Sequence, residues 1–359
     1  MKIAFLSFYS GTVNRGAESF VDGLAEKLSA KHEVVVFQEG ESIGNQAGYK
    51  TKRILMQMNW AKEDMTGTIW RRFFIDYWSI KIAIFTLKVL SSIIRQKYDV
   101  VITINGGWQP AFLRLATWIY GGKLVITGQS GMGWDDRNNL WCFPDYFIAL
   151  SRKAQKWARK AMPLVPSEYI PNGVDLKKFT PNGESFASGL KKPIILCVGA
   201  LVEQKRIDLV IQAVAKLKGV SLLVVGDGEL KEKLTEMGKK LLGSRFHLIK
   251  ISFEDMPEVY RCADVFSLVP ESSEAFGVVF VEALAANLPV VTIDDEQRKE
   301  IIGEAGFFVK PANTGQYAKA LREAIHYDWE DKPRKQAEKF DWDGTTERYE
   351  KLFKKLIRK

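Results

Sequence analysis

The chain has 359 residues, 46% hydrophobic and 26% charged, a composition that excludes a disordered or collagen-like protein and leaves room for two ordinary domains. Its formal net charge of +9 favours anionic partners, whether nucleic acid, acidic lipid or phosphorylated small molecules. Cys142, Cys197 and Cys262 stand apart, and His32, His247 and His326 show no paired spacing. The expectation is therefore a reducing cytoplasm, no disulfide framework and no bound metal.

In chain order, Met1-Lys2 leads into the apolar run Ile3 to Tyr9, which is too short for a secretory leader. Lys2–Phe8, Glu33–Phe37, Val100–Ile104 and Lys123–Thr127 read as buried strands. A second series follows at Ile194–Val198, Leu222–Val225, Val265–Val269 and Val290–Ile293. Helical spacing covers Gly16–Ala30, Ile207–Lys218, Thr314–His326 and the basic segment Trp342–Arg358. Apolar strands alternating with helices predict parallel sheets covered on both faces. Pro181-Asn182-Gly183 and Ser188-Gly189 punctuate a polar stretch before the second series. The expected domains are 1–185, 186–338 and a C-terminal helix, 339–359, packing back on the first domain. No run reaches about 18 uninterrupted apolar residues, which argues against a membrane-spanning helix.

The segment Ala263 to Ile293 reads strand, polar loop, helix, strand. Its loop carries Glu271 and Glu274, and Glu282 is the lone charge between Val278 and Leu288. The residues three and four away from Glu282 are apolar and cannot pair with it. A carboxylate so placed needs a partner or pays for desolvation. Vicinal ribose hydroxyls and a structural ion pair with a neighbouring segment both satisfy that need.

Glu274 and Glu282, separated in part by Ala-Phe-Gly, resemble the paired glutamates of the retaining glycosyltransferases of family 4. Three further segments are similar to that family in the same order: Asp145 to Ser151, Ile170-Pro-Asn-Gly-Val-Asp175 with Phe179 and Pro181, and Val198-Gly199-Ala-Leu with Lys205. With the Gly16-Ala17-Glu18 loop, the likeness spans nearly the whole chain. It implies the GT-B fold, two Rossmann-like α/β domains facing each other across a cleft: an N-terminal acceptor-binding and a C-terminal nucleotide-sugar-binding domain. The implied catalytic residues are Glu274, against hydroxyls of the transferred sugar, with Lys205 and Arg206 neutralising the leaving diphosphate. Implied donor contacts are Glu282 on the ribose, the backbone of Phe276, Gly277 and Val278, and Gly199 at the phosphates; Gly16, where the first strand gives way to the first helix, reads either as a backbone approach to the donor phosphate or the acceptor or as a helix-start glycine without a ligand. Fixed cations and helix N-terminal amides suit a leaving group that gains negative charge.

Two positions depart from the family. Ala200 stands where an arginine usually follows the phosphate-loop glycine, and Arg206 is the candidate substitute. The stretch Thr127 to Trp134 lacks a histidine common at that strand end. Gln129 or Ser130 is left to meet sugar or acceptor, and neither titrates near neutral pH. No general base is visible, which suits a same-face substitution in which the departing phosphate takes the acceptor's proton. Gly226-Asp227-Gly228 is a partial dinucleotide fingerprint with Lys231 at the third glycine. Asp341-Trp-Asp343 precedes the last helix, where either acid reads as a cap.

Ile69–Arg95 concentrates Trp70, Phe73, Phe74, Tyr77 and Trp78 beside Arg71 and Arg72. Lys81, Lys88, Ser92 and Arg95 share one helical face. A packed helix is one reading, and an interfacial helix touching anionic lipid is the other. The function expected is a retaining transfer from a nucleotide-diphosphate sugar, the co-substrate, to a lipid-linked or saccharide hydroxyl, with no other cofactor. The setting expected is glycolipid or surface-polysaccharide synthesis in the cytoplasm, at the inner face of the membrane. The alternatives are a silent nucleotide-sugar-binding homologue or a sugar-nucleotide epimerase. Nucleic acid is not an expected partner, because no helix-turn-helix, zinc-finger or RNA-binding signature accompanies the charge.

Overall fold

The structure is a computed structural model that describes residues 1–13, 16–41, 48–56, 68–271 and 274–358. It divides into two compact units, Met1–Gly173 with Trp342–Lys359, and Val174–Asp341. The first crossing precedes the Pro181-Asn182-Gly183 break. Arg334 is the reason: its guanidinium donates to the carbonyls of Phe179 at 2.6 Å and Leu176 at 2.8 Å, and also to Ala285. That fork fastens the 174–179 segment to the second unit.

The first unit begins with β1 (Lys2–Leu6), α1 (Gly16–Ser29), β2 (Glu33–Gln38) and β3 (Lys50–Arg53). There follow α2 (Thr68–Arg72), α3 (Tyr77–Gln96), β4 (Val100–Thr103), α4 (Gln109–Tyr120) and β5 (Lys123–Thr127). It continues through α5 (Trp134–Trp141), β6 (Tyr146–Ala149), α6 (Arg152–Ala161) and β7 (Ser167–Tyr169). These seven strands form one parallel sheet in the order β3-β2-β1-β4-β5-β6-β7. Alternate strand residues feed two cores, as the pleat requires. On one face Ile3, Phe5, Val34, Val36 and Ile102 pack under α1 and the last helix. On the other, Ala4, Leu6, Val35, Phe37 and Val101 pack under α3, α4, α5 and α6, which therefore form a single layer.

Ile69–Gln96 is long and apolar enough to cross a membrane by length and composition, although no uninterrupted apolar run reveals it. Here it is two helices, and α3 buries Ile82, Phe85, Val89 and Ile93 against the sheet. Asp76 caps α3 by accepting from the Trp78 and Ser79 amides at 3.2 and 3.3 Å, which satisfies orphan donors of the first turn.

The second unit holds β8 (Ile194–Val198), α7 (Ile207–Ala215), β9 (Ser221–Val225), α8 (Lys231–Leu242) and β10 (Phe246–Ile249). It continues with α9 (Met256–Arg261), β11 (Val265–Ser267), α10 (Val278–Ala285), β12 (Val290–Ile293) and α11 (Glu296–Ile302). β13 (Gly306–Val309), α12 (Thr314–His326) and α13 (Lys332–Ala337) complete it. Its six-stranded parallel sheet runs β10-β9-β8-β11-β12-β13. The chain then returns to the first unit as α14 (Trp342–Ile357), where Phe20 of α1 meets the rings of Trp342 and Tyr349 at 6.1 and 6.0 Å. Asp343 lies in the first turn of α14 and pairs with Lys27 at 2.6 Å. All three cysteines are free thiols.

Candidate active site

In an open parallel sheet, ligands gather beyond the carboxyl ends of the strands where the winding reverses. In the second unit that point lies between β8 and β11. The loops leaving those two strands carry Gly199 to Arg206 and Leu268 to Gly277.

Several contacts tie the two loops together. A 3₁₀ turn at Glu203–Lys205 ends on Arg206, which holds a left-handed backbone with φ of 49°. The Arg206 Nε and Nη2 each donate at 2.8 Å, to the carbonyls of Val269 and Pro270. The Glu271 amide donates to the Gln204 carbonyl at 2.8 Å. Lys205 Nζ forms an ion pair with Glu274 Oε2, both side chains about one-fifth exposed. Arg206 thus straps the β11 loop rather than standing free in place of the arginine missing at Ala200. Lys205 and Glu274 form a half-buried, preorganised charge pair.

Beneath the β11 loop lies a residue without a sequence signal. Arg298 of α11 is fully buried, and its Nη1 donates to the Glu274 carbonyl at 3.5 Å and pairs with Asp295 at 3.7 Å. Its Nε and Nη2 have no partner among the described residues. Burial lowers its pKa, with Asp295 and Glu274 opposing. Gln297 donates to the Ala275 carbonyl. Two successive side chains therefore hold two successive carbonyls of the loop.

That loop ends at Gly277, whose φ of 81° places it in the left-handed region, and an added Cβ would lie 2.7 Å from the Phe280 ring. Glycine is required there by both conformation and space. Phe276 is buried against Phe340 at 6.0 Å, and Val278 opens α10. Glu282 is buried one turn further on, and its Oε2 accepts from the Tyr260 hydroxyl at 2.7 Å. Burial pushes the Glu282 carboxyl up to about 7, with the Tyr260 hydrogen bond and Lys178 pulling the other way. The side-chain partner that the described residues supply is thus the neutral Tyr260 hydroxyl and not the ion pair weighed from sequence.

Gly199 directly follows β8. Gly226 is explained by its proximity, since an added Cβ would fall 2.0 Å from the Gly199 carbonyl oxygen. The partial fingerprint at Gly226-Asp227-Gly228 is a close backbone approach, and Asp227 pairs with Lys250 at 2.8 Å.

In the first unit, Gly16 opens α1 and is exposed; Asn14 and Arg15 lie outside the described residues, as do Ser272 and Ser273 of the second-unit loop. Gln129 Nε2 donates to Asn172 Oδ1 at 3.0 Å, and Asn172 returns a hydrogen bond to Gln129 Oε1 at 3.2 Å. Ser130 is exposed beside it. No group of three or more potential metal ligands occurs among the described residues.

Two family models match consecutive stretches: one described as Glycosyltransferase Family 4 over residues 14–178, and one as Glycosyl transferases group 1 over 181–340. The sulfoquinovosyl transferase SQD2 of Arabidopsis thaliana is 28% identical over 196 residues, covering 48% of this chain and 37% of that protein. A GDP-mannose-dependent alpha-(1-6)-phosphatidylinositol monomannoside mannosyltransferase of Mycolicibacterium smegmatis is 31% identical over 148 residues, 36% of this chain and 38% of the relative. The chain spans less than half the length of the curated relatives it matches. The structure of Anabaena HepE in complex with UDP-glucose superposes with a TM-score of 0.77 at 18% identity, covering 99% of this chain and all of that one. Two doubly wound parallel sheets, that structural likeness and two consecutive family matches agree: the chain belongs to the group 1 glycosyltransferases of family 4, with the GT-B fold.

Proposed function

We propose that this chain is a retaining glycosyltransferase that moves a sugar from a nucleotide-diphosphate sugar to a hydroxyl of a lipid-linked or saccharide acceptor. It works without a metal or other cofactor, on the cytoplasmic side of a membrane, in glycolipid or surface-polysaccharide synthesis. The observation that carries the reading is the Lys205–Glu274 pair, held at the switch point of a parallel sheet. The activities of SQD2 and of the mannosyltransferase, both glycosyl transfers, support it.

In this reading the bond from the sugar's anomeric carbon to the diphosphate oxygen breaks. The acceptor oxygen bonds to the same face, and its proton passes to the departing phosphate. Lys205 turns from Glu274 to the diphosphate as negative charge develops, and Glu274 is freed to accept from sugar hydroxyls. The amides around Phe276–Val278 donate to the phosphates at the start of α10. Glu282 meets the ribose hydroxyls while Tyr260 keeps one of its oxygens. Arg206, Gln297 and Arg298 hold the loops, so little reorganisation is needed at the moment of reaction. Gln129, already oriented by Asn172, and Ser130 meet the sugar or acceptor, and Gly16 faces a phosphate or the acceptor.

Ala200 and the missing histidine favour one rival, a homologue that binds a nucleotide sugar without turning it over. Thermal shifts against a panel of nucleoside diphosphates and their sugars, paired with product formation, separate the two. A shift of one nucleotide series with sugar transfer supports the enzyme; a shift with no transfer to any acceptor supports the rival. No shift with any nucleotide overturns both.

A further inference from the structure

The stretch Thr127 to Trp134 leaves the end of β5 without a titratable side chain. The fold returns one. Asp136, in the first turn of α5, is 2% exposed, and its Oδ2 lies 3.0 Å from the point that a Cβ on Gly128 would occupy. The Phe147 ring stands 2.9 Å from the same point. Carboxyl and ring therefore leave room only for glycine there, and the carboxyl lies against the backbone one residue before Gln129. The tip of Gln129 is paired with Asn172; its base is this turn.

The same helix reaches the loop after β4. Asn138 Nδ2 donates to the Gly107 carbonyl at 2.9 Å, and Asn139 Oδ1 lies 3.4 Å from where a Gly106 Cβ would be. Asn139 is also 2% exposed, and its Nδ2 donates to Asp136 Oδ1 at 3.2 Å. Among the described residues that is the one hydrogen bond to the carboxyl, and Asn139 Oδ1 has no partner. So α5 buries two incompletely satisfied polar side chains between the loops that leave β4 and β5. Burying them costs free energy that apolar side chains would not, and packing alone does not explain them.

Burial holds the Asp136 carboxyl well above the usual carboxylate range; Asn139 pulls it down and Asp135 adds to the rise. Arg71 and Asp76 face Asp135 in turn, from α2 and the α3 cap. Gly128 and Phe147 bring no charge. A neutral carboxyl can donate as well as accept, whereas an ionised one only accepts. Loss of the proton to solvent therefore changes what Asp136 offers the turn and Asn139. We propose that Asp136 is a positioning residue of the first unit: through the Gly128–Gln129 turn it sets where the Gln129 amide stands, according to whether its carboxyl carries a proton. The catalytic consequence rests on the reading above, in which Gln129 meets the sugar or acceptor.

The test follows the side-chain amide resonances of Gln129 and Asn139 in the 15N-labelled whole chain from pH 4.5 to 9. Both should move together, with a midpoint above the ordinary carboxylate range. Asp136→Asn, which keeps the shape of the neutral carboxyl, should flatten both curves. Asp135→Asn should keep the titration and move its midpoint down, because a neighbouring negative charge is gone. A Gln129 amide that does not respond to pH in the wild type overturns the proposal without any variant. So does a titration that survives Asp136→Asn or disappears in Asp135→Asn. In sugar transfer, Asp136→Ala should lower kcat/KM for the acceptor on the order of a hundredfold. UDP and GDP should shift its melting temperature as they shift the wild type's, and Asp136→Asn should keep the wild-type rate at pH 6. Asp136→Ala as fast as the wild type overturns the catalytic consequence. A wild type without transfer counts against the glycosyltransferase reading alone, and the amide titration still decides this proposal.

Discussion

The two units are wound on the same plan but place their charged and aromatic side chains differently. In the second unit the loops at the switch point grip one another: Lys205 on Glu274, Arg206 on two carbonyls, Arg298 and Gln297 on two more. In the first unit the outer helices leave tryptophans exposed, and Lys153, Lys156 and Lys160 of α6 are exposed with them. Internal pairing fixes groups at defined positions, as selective stabilisation of a transition state requires. Exposed side chains spread over a helical layer are not held to one geometry in that way.

Substitutions can break this contrast, beginning with the largest effect. Lys205→Ala removes one partner of the fixed pair and should lower kcat by about a hundred- to a thousandfold, the loss typical of one such electrostatic contact. The melting temperature should hardly move, because a partly exposed ion pair contributes little to stability. Turnover and melting measured on one preparation check both halves.

Glu282→Gln probes the buried carboxylate. Its folded-state value of about 7 lies above the ordinary 4.5, so the native state keeps an extra proton between those pH values. The carboxyl therefore makes stability fall as pH rises through the window, by on the order of 3 kcal/mol. The glutamine variant should lack that slope, and donor affinity in the wild type should rise with pH across about 7. Urea unfolding from pH 4.5 to 8 reads the first; parallel slopes in both proteins would show that the carboxyl is ionised throughout.

Gly277→Ala forces a side chain into a left-handed position against the Phe280 ring. It should cost about 1–2 kcal/mol from the backbone alone, seen as a melting temperature lower by at least about 2 °C. Gln129→Ala breaks the paired amides with Asn172 and should cost about 1 kcal/mol. A larger loss from Gln129→Ala than from Gly277→Ala would reverse that order.

Interior strands were legible because burial on both faces leaves an apolar run: Lys123–Thr127, Ile194–Val198 and Val290–Ile293 agree with β5, β8 and β12. None of the four strands at the sheet edges, β3, β7, β10 and β13, was read from the sequence. An edge strand has one partner and a wetter environment, so KTKR in β3 and SEY in β7 carry no apolar signature. Glu282 stood out as a lone charge on an apolar helix. Its holder Tyr260 did not, because a tyrosine 22 residues away has no local pattern. Arg298 was equally silent: an arginine in QRKE reads as solvated surface, and only tertiary packing carries it under the Glu274 carbonyl. The strap made by Arg206 was hidden likewise, since its partners are backbone oxygens.

The most direct test of the central claim is product formation from nucleotide sugars by the wild type and Lys205→Ala, with the anomeric configuration of the product read by NMR. The account predicts transfer with the donor's configuration kept, and at least about a hundredfold loss in the variant. An inverted product, or a variant as fast as the wild type, would contradict it.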